Sequence, residues 1–156
     1  MILQECAKTL TPSPLFATAV LGAYAITQFG TKKQKEKYLP QIVNGKITTA
    51  VAVDESSHHN PINSEMKASI KDDKYVLEGK KTFVVDGASA DLLIVLVRTS
   101  GNPGDETGLS LFIVDSNEEG VSKIKLDMAD SRNYANIIFS NVSISKDQLL
   151  GDAESG

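Results

Sequence analysis

Residues 72–99 read DDKYVLEGKKTFVVDGASADLLIVLVRT, two runs rich in β-branched and aromatic residues with Asp86-Gly87 between them. Such residues suit a pleated, half-buried surface, and an Asp-Gly pair is a turn signal, so the stretch predicts two strands joined by a short turn. The same texture recurs on either side, at 48–53 (TTAVAV), 109–115 (LSLFIVD), 120–126 (GVSKIKL) and 136–144 (NIIFSNVSI). Asp72-Asp73, SGNPGDETG and NEEG separate these runs. Short strands at this spacing predict an antiparallel barrel or sandwich.

Residues 1–46 have a different texture. PSPLFATAVLGAYAITQFG (12–30) opens on proline and closes on glycine, as helices do, and its body is apolar nearly all round. A helix with so little polar face needs cover on several sides. Thr31 and Gln34 stand at capping-box spacing and start a second helix, which Pro40 is expected to end or kink and Gly45 to close. The fold class is therefore mainly β, α+β overall, with two helices ahead of the β-domain. The division expected is 1–46 helical and 47–156 β. The helices want partners and the chain finishes abruptly in DQLLGDAESG, which reads as a fragment or as one piece of an assembly.

Composition removes several classes of function. The 156 residues carry a formal net charge of −4, which disfavours nucleic-acid and anionic-membrane partners. Lys32, Lys33, Lys35 and Lys37 cluster, but on a helix and interrupted by Gln34 and Glu36, as on a solvated face. A single cysteine, Cys6, rules out an internal disulfide framework and is read as a packing residue. No apolar run reaches the roughly 18–20 residues of a membrane span, and a cytoplasmic location is expected.

Residue types that carry chemistry are sparse. His58 and His59 are adjacent, with no further His or Cys at ligand spacing, so no metal site is expected. Ser56 or Ser57, His58 or His59, and Asp54 make a triad on paper, but sequence neighbours rarely meet its geometry. Asp54 and Glu55 would point to opposite faces if both stood on a strand. Taken alone, these residues define no catalytic site.

Their order is more informative. FGTKKQKEKYLPQIVNGK (29–46) resembles the helix that leads into the middle domain of acyl-CoA dehydrogenases. DDKYVLEGKKTFVVDGASADLLIVLVRT resembles that domain's "Gly-x-Lys-x-Trp-Ile-x-Asn-Gly-x-x-Ala-Asp" hairpin, and FSNVSISKDQLLG (139–151) its closing segment. The resemblance covers essentially the whole chain. It implies the end of an N-terminal helical domain followed by the middle β-domain, without the C-terminal bundle that carries the usual glutamate base.

What the resemblance implies chemically is FAD-dependent α,β-dehydrogenation of an acyl-CoA thioester, in a homo- or hetero-oligomer. By motif position, Val53, Asp54 and Glu55 fall on the flavin-side strand, and Ser57, His58 and His59 in the following loop, with Ser57 and His59 toward acyl-CoA. Phe83, Val84 and Val85 fall on the "Trp-Ile-Thr" strand, and Arg132 is expected to face a phosphate or the flavin. No residue is assigned as the catalytic base. Asp54 and Val85 stand where the family usually has hydroxyls, and ionised aspartate only accepts hydrogen bonds. The flavin contacts are thus expected to be weakened. A non-catalytic scaffold subunit completing a partner's site is the alternative.

Overall fold

The computed structural model describes residues 2–130 and 132–153. Helix α1 (Ile2–Lys8) buries none of its residues, and Cys6, half-buried on it, enters no core. A π-type helical turn, Phe16–Gly22, then runs directly into α2 (Ala23–Phe29). It sits against β1 (Thr49–Ala52), where the Thr49 N–H donates to Thr18 Oγ1 at 3.0 Å. A side chain at Gly22 would collide with Thr49 Oγ1, so the close approach of helix to strand requires glycine.

Helix α3 (Lys32–Val43) begins with the predicted box: Thr31 Oγ1 accepts from Gln34 N–H, and Gln34 Oε1 accepts from Thr31 N–H. Pro40 does not end it. The proline lies in the last turn, so it removes a single i→i−4 bond near the end of the helix, and the chain stays helical to Val43. Gly45 (φ 65) then turns the chain left-handed, and the Lys46 N–H returns to Gln41 O.

The remaining strands are β2 (Lys67–Lys71), β3 (Lys74–Val84), β4 (Leu92–Arg98), β5 (Leu109–Asp115), β6 (Val121–Lys125), β7 (Ala135–Ser145) and β8 (Leu149–Leu150). They form one sheet in the order β6-β7-β3-β2-β4-β5-β8, with β1 also paired to β4. Most pairings are antiparallel, as expected, but β1 and β2 both run parallel to β4. The 72–99 stretch is not a paired hairpin either. The unanticipated β2 lies between β3 and β4, joined to β3 by a tight turn in which Asp72 and Asp73 both take positive φ. That conformation suits the twist of a two-residue hairpin. Residues 85–91 instead connect β3 to β4 across the intervening β2.

Strand β4 explains its own composition. All seven of its residues are buried. Leu93, Val95 and Val97 face a core shared with Leu77, Phe112, Ile137 and Phe139. Leu92 and Ile94 face a second cluster with Ile26 of α2 and Tyr38 of α3. An uninterrupted apolar run is what a strand covered on both faces requires. On the helices' other side, Phe16, Val20, Tyr24 and Phe29 remain exposed.

Strand β3 bends around Gly79, which has φ 143 at a slip in register with β7. A Cβ there would lie 2.8 Å from Met66 Cγ and 3.1 Å from Met66 Cα. Gly79→Ala is expected to cost about 2 kcal/mol. Urea unfolding reads this as a lower midpoint at constant slope, and an unchanged midpoint would show that the bend tolerates a side chain.

Candidate functional site

The chain leaves β1 at Ala52 and runs beside the end of β3. Thr82 N–H donates to Asp54 O at 2.7 Å, and Thr82 Oγ1 to Ser56 O at 3.2 Å. Val53, Asp54 and Glu55 therefore form a segment just past the strand, held against residues 81–83.

The strongest tie is ionic. Lys81 is fully buried, and its ammonium donates to Glu55 Oε1 (2.6 Å), Val53 O (3.0 Å) and Ser64 Oγ (3.1 Å). Glu55 also accepts from Ser64 Oγ at 2.5 Å, Glu65 N–H at 2.8 Å and Met66 N–H at 3.1 Å. Burial alone would push the Glu55 carboxyl up, but hydrogen bonds from Lys81 and Ser64 and the lysine's charge hold it below its usual range. Burial pulls the Lys81 ammonium down, against the Glu55 carboxylate.

A second buried cation fixes the far end of the same loop. Arg98 is 2% exposed and is satisfied by backbone carbonyls. Its five N–H groups donate to the carbonyls of Ile62, Ser64, Ser100, Asp105 and Thr107 at 2.6–3.3 Å. Loop 55–66 is thereby clamped at both ends over a groove of about 510 Å³, lined in part by Val53, Glu55, His58 and Asn63.

The structure gathers some of the anticipated site residues and separates others. Val53 lines the groove, and Asp54 lies beside Phe83 through Thr82. Asp54 Oδ1 meets His59 Nδ1 at 2.9 Å, whereas Ser57 Oγ meets Nδ1 of the other histidine, His58, at 3.2 Å. These are two exposed pairs, and no Ser-His-Asp relay forms from them. Phe83 is 49% exposed with φ 51, where the β3–β7 register slips. Val84 is turned into the core, so its side chain is withdrawn from the surface that Phe83 presents. Val85 lies beyond the strand in the turn, because β3 ends at Val84.

Arg132 reaches Asp86 instead of standing free, with Nη2 3.8 Å from Oδ2. Asp86 is 7% exposed, and its Oδ2 has no hydrogen-bond partner among the described residues. Burial pushes its carboxyl up, against the Arg132 guanidinium. Among the described residues no group of three His, Cys, Asp or Glu side chains could hold a metal. No described helix is long and apolar enough to cross a membrane.

Lys81, Ser64 and Arg98 were not anticipated as part of the site. Lys81 carried a signal, since it alternates with Tyr75, Leu77 and Gly79 on the side of β3 that faces inward. Arg98 carried another, closing a strand otherwise wholly apolar. A larger cleft of about 760 Å³ lies between α3 and residues 145–149, lined by Lys33, Lys37, Asp91, Asp115 and Lys146 among others.

Removing one member of a buried pair leaves the other uncompensated, so Lys81→Met is expected to cost about 3–5 kcal/mol. Lys81→Met with Glu55→Gln recovers part of that loss in chemical unfolding, and equal costs for the single and double variants would refute the coupling. Because folding depresses the Glu55 pKa, its stabilisation is full above the usual value of 4.5 and is lost as pH falls through the lower folded value. The stability gap between the wild-type chain and Glu55→Gln should therefore shrink below about pH 4.5. A gap constant across that range would contradict the assignment.

Comparison with known proteins agrees with the geometry. Residues 1–46 match the family description "Acyl-CoA dehydrogenase, N-terminal domain" and residues 50–142 match "Acyl-CoA dehydrogenase, middle domain". A 3-(aryl)acrylate reductase of Clostridium sporogenes is 34% identical over 81% of this chain and 34% of its own length. The structure of butyryl-CoA dehydrogenase from Megasphaera elsdenii superposes with a TM-score of 0.86 at 30% identity, over 92% of this chain and 38% of that one. A structure titled the FAD complex of PigA superposes at 0.84 with 26% identity, over 92% and 38%. The chain thus spans little more than a third of the length of these relatives. Across that span, with both domain matches in order along one polypeptide, it belongs to the acyl-CoA dehydrogenase family.

Proposed function

We propose that this chain forms the flavin-facing β-domain of an FAD-dependent oxidoreductase acting on the Cα–Cβ bond of an acyl-CoA thioester. One observation carries the reading. Phe83 is an aromatic residue held half-exposed in a left-handed conformation, directly beside the clamped 53–56 segment. Bulky residues take that conformation at a cost of about 1–3 kcal/mol, and such outliers cluster at functional sites. An isoalloxazine needs a flat apolar wall with polar groups along its edge. Phe83 supplies the wall, and the Asp54–His59 pair and the Thr82 backbone lie at its margin, so the residues fit the group.

FAD, when bound, supplies the acceptor for the hydride that leaves the β carbon as the α proton is lost. This chain's part is to bind and orient. Phe83 and Val53 exclude water from one side. Ser57 and His59, on the exposed loop, would meet the thioester's polar end, while Arg132, tied to Asp86, steadies the turn after β3. The base that takes the α proton is assigned to none of the described residues. Homo- or hetero-oligomeric assembly and a cytoplasmic location belong to the same proposal. The exposed Phe16, Val20, Tyr24 and Phe29 support the assembly, and the net negative charge argues against a nucleic-acid partner.

A second reading has its own support. Asp54 is already engaged by His59, and Val85 has no hydroxyl, which favours a subunit that braces a partner's site without turnover. Titrating the chain with FAD separates the two by absorbance and flavin fluorescence. Saturable micromolar binding that weakens about tenfold in Phe83→Ala supports the flavin-facing surface. Restoring hydroxyls with Asp54→Thr and Val85→Thr should then tighten binding. Wild-type chain that leaves the flavin spectrum unchanged at every concentration would refute the first reading.

A further inference from the structure

We infer that Asn136 is a positioning and ligand-binding residue of the Phe83 surface, holding the aromatic with one end of its amide and offering a donor with the other. This rests on the flavin-facing reading above and extends it to a residue on a different strand.

The register shows why the position is special. Between the pairs Lys81–Ile137 and Val84–Ala135, β3 advances three residues while β7 advances two. Asn136 is thus the single β7 residue opposite the bulged pair Thr82–Phe83. A bulge disrupts the ladder locally and leaves backbone groups in need of other partners. Asn136 Oδ1 accepts the Phe83 N–H at 3.2 Å, so a side chain replaces the missing ladder contact and ties down the left-handed residue. An N–H can be accepted only by the amide oxygen, which fixes the orientation of the carboxamide.

The other end of that amide is Nδ2, with two N–H donors. Among the hydrogen bonds of the described residues it makes none, and Asn136 is only half-buried. Its neighbour across the ladder is Ile124 of β6, which is 51% exposed, as Phe83 is on the other side. Two exposed apolar side chains therefore flank a free donor on one stretch of sheet. That combination suits a flat ring system with carbonyl or pyridine-type acceptors along its edge. Asp54 and Val85 cannot donate, and Asn136 replaces from β7 the donor that those positions lack.

Three variants of the chain test this. Asn136→Asp keeps the acceptor and removes the donor, Asn136→Leu removes both, and Asn136→Thr carries a hydroxyl that accepts and donates. Amide hydrogen exchange at Phe83, without flavin, reads the first function. Protection is expected to persist in Asn136→Asp and to fall about tenfold in Asn136→Leu. FAD titration reads the second, with affinity about tenfold weaker in both Asn136→Asp and Asn136→Leu and largely retained in Asn136→Thr. Wild-type affinity in the Asp and Leu variants would overturn the donor role, and unchanged Phe83 exchange in Asn136→Leu would overturn the positioning role. Absence of FAD binding by the wild-type chain would instead sink the flavin-facing reading, and the donor role with it.

Discussion

A lysine with no solvent contact is costly unless each of its three N–H donors has a partner, and Lys81 meets that demand with groups from two other segments. Val53 lies just past β1, and Glu55 and Ser64 stand at the two ends of the following loop. The demand of one ammonium therefore fixes where β1 ends, how loop 55–66 folds back and which side of β3 that loop lies against. Ser64 stands at the junction, its hydroxyl shared by Lys81 and Glu55 and its carbonyl taken by Arg98. The fold around the candidate site is built on polar contacts set against the apolar core of the sheet.

With the loop held in this way, the neighbouring residues can sit in conformations that a freer chain would abandon. Phe83 follows Lys81 by two positions and takes a positive φ at the register slip, keeping its ring half-exposed. The backbone beside it is stitched to residues 54 and 56 by Thr82, and its own N–H goes to Asn136 on β7. Rigid support under an exposed aromatic is what a surface that orients a flat cofactor needs, because positioning tolerances there are small. The structure places that support in the β-domain itself, within the 50–142 span shared with the family.

Most of the strands were legible in the sequence, because a period-2 or continuous apolar pattern reports burial directly. Strand β5 falls where the pattern places it, and β4 differs by a residue. Strand β2, KASIK, was not, since its alternation rests on only Ala68 and Ile70, and four of its five residues, Ile70 included, are exposed. Missing it made β3 and β4 look like a hairpin. The parallel pairings of β1 and β2 with β4 depend on crossovers that no local pattern records. At the site, the closeness of residues 53–54 to 82–83 follows from motif order in a family resemblance. The burial of Val84, the turn at Val85 and the Asp86 partner of Arg132 follow from a bulge that shifts register by one residue, which composition cannot show. Asn136 was invisible for the same reason, being one polar residue on a strand whose neighbours alternate in and out.

The most direct test of the account is a map of amide hydrogen exchange across the chain with and without FAD. Protection concentrated at residues 53–56, 82–85 and 136 on addition of FAD is the result predicted. Protection confined to α3 and residues 145–149, around the larger charged cleft, would contradict it by placing the ligand on the opposite side of β4.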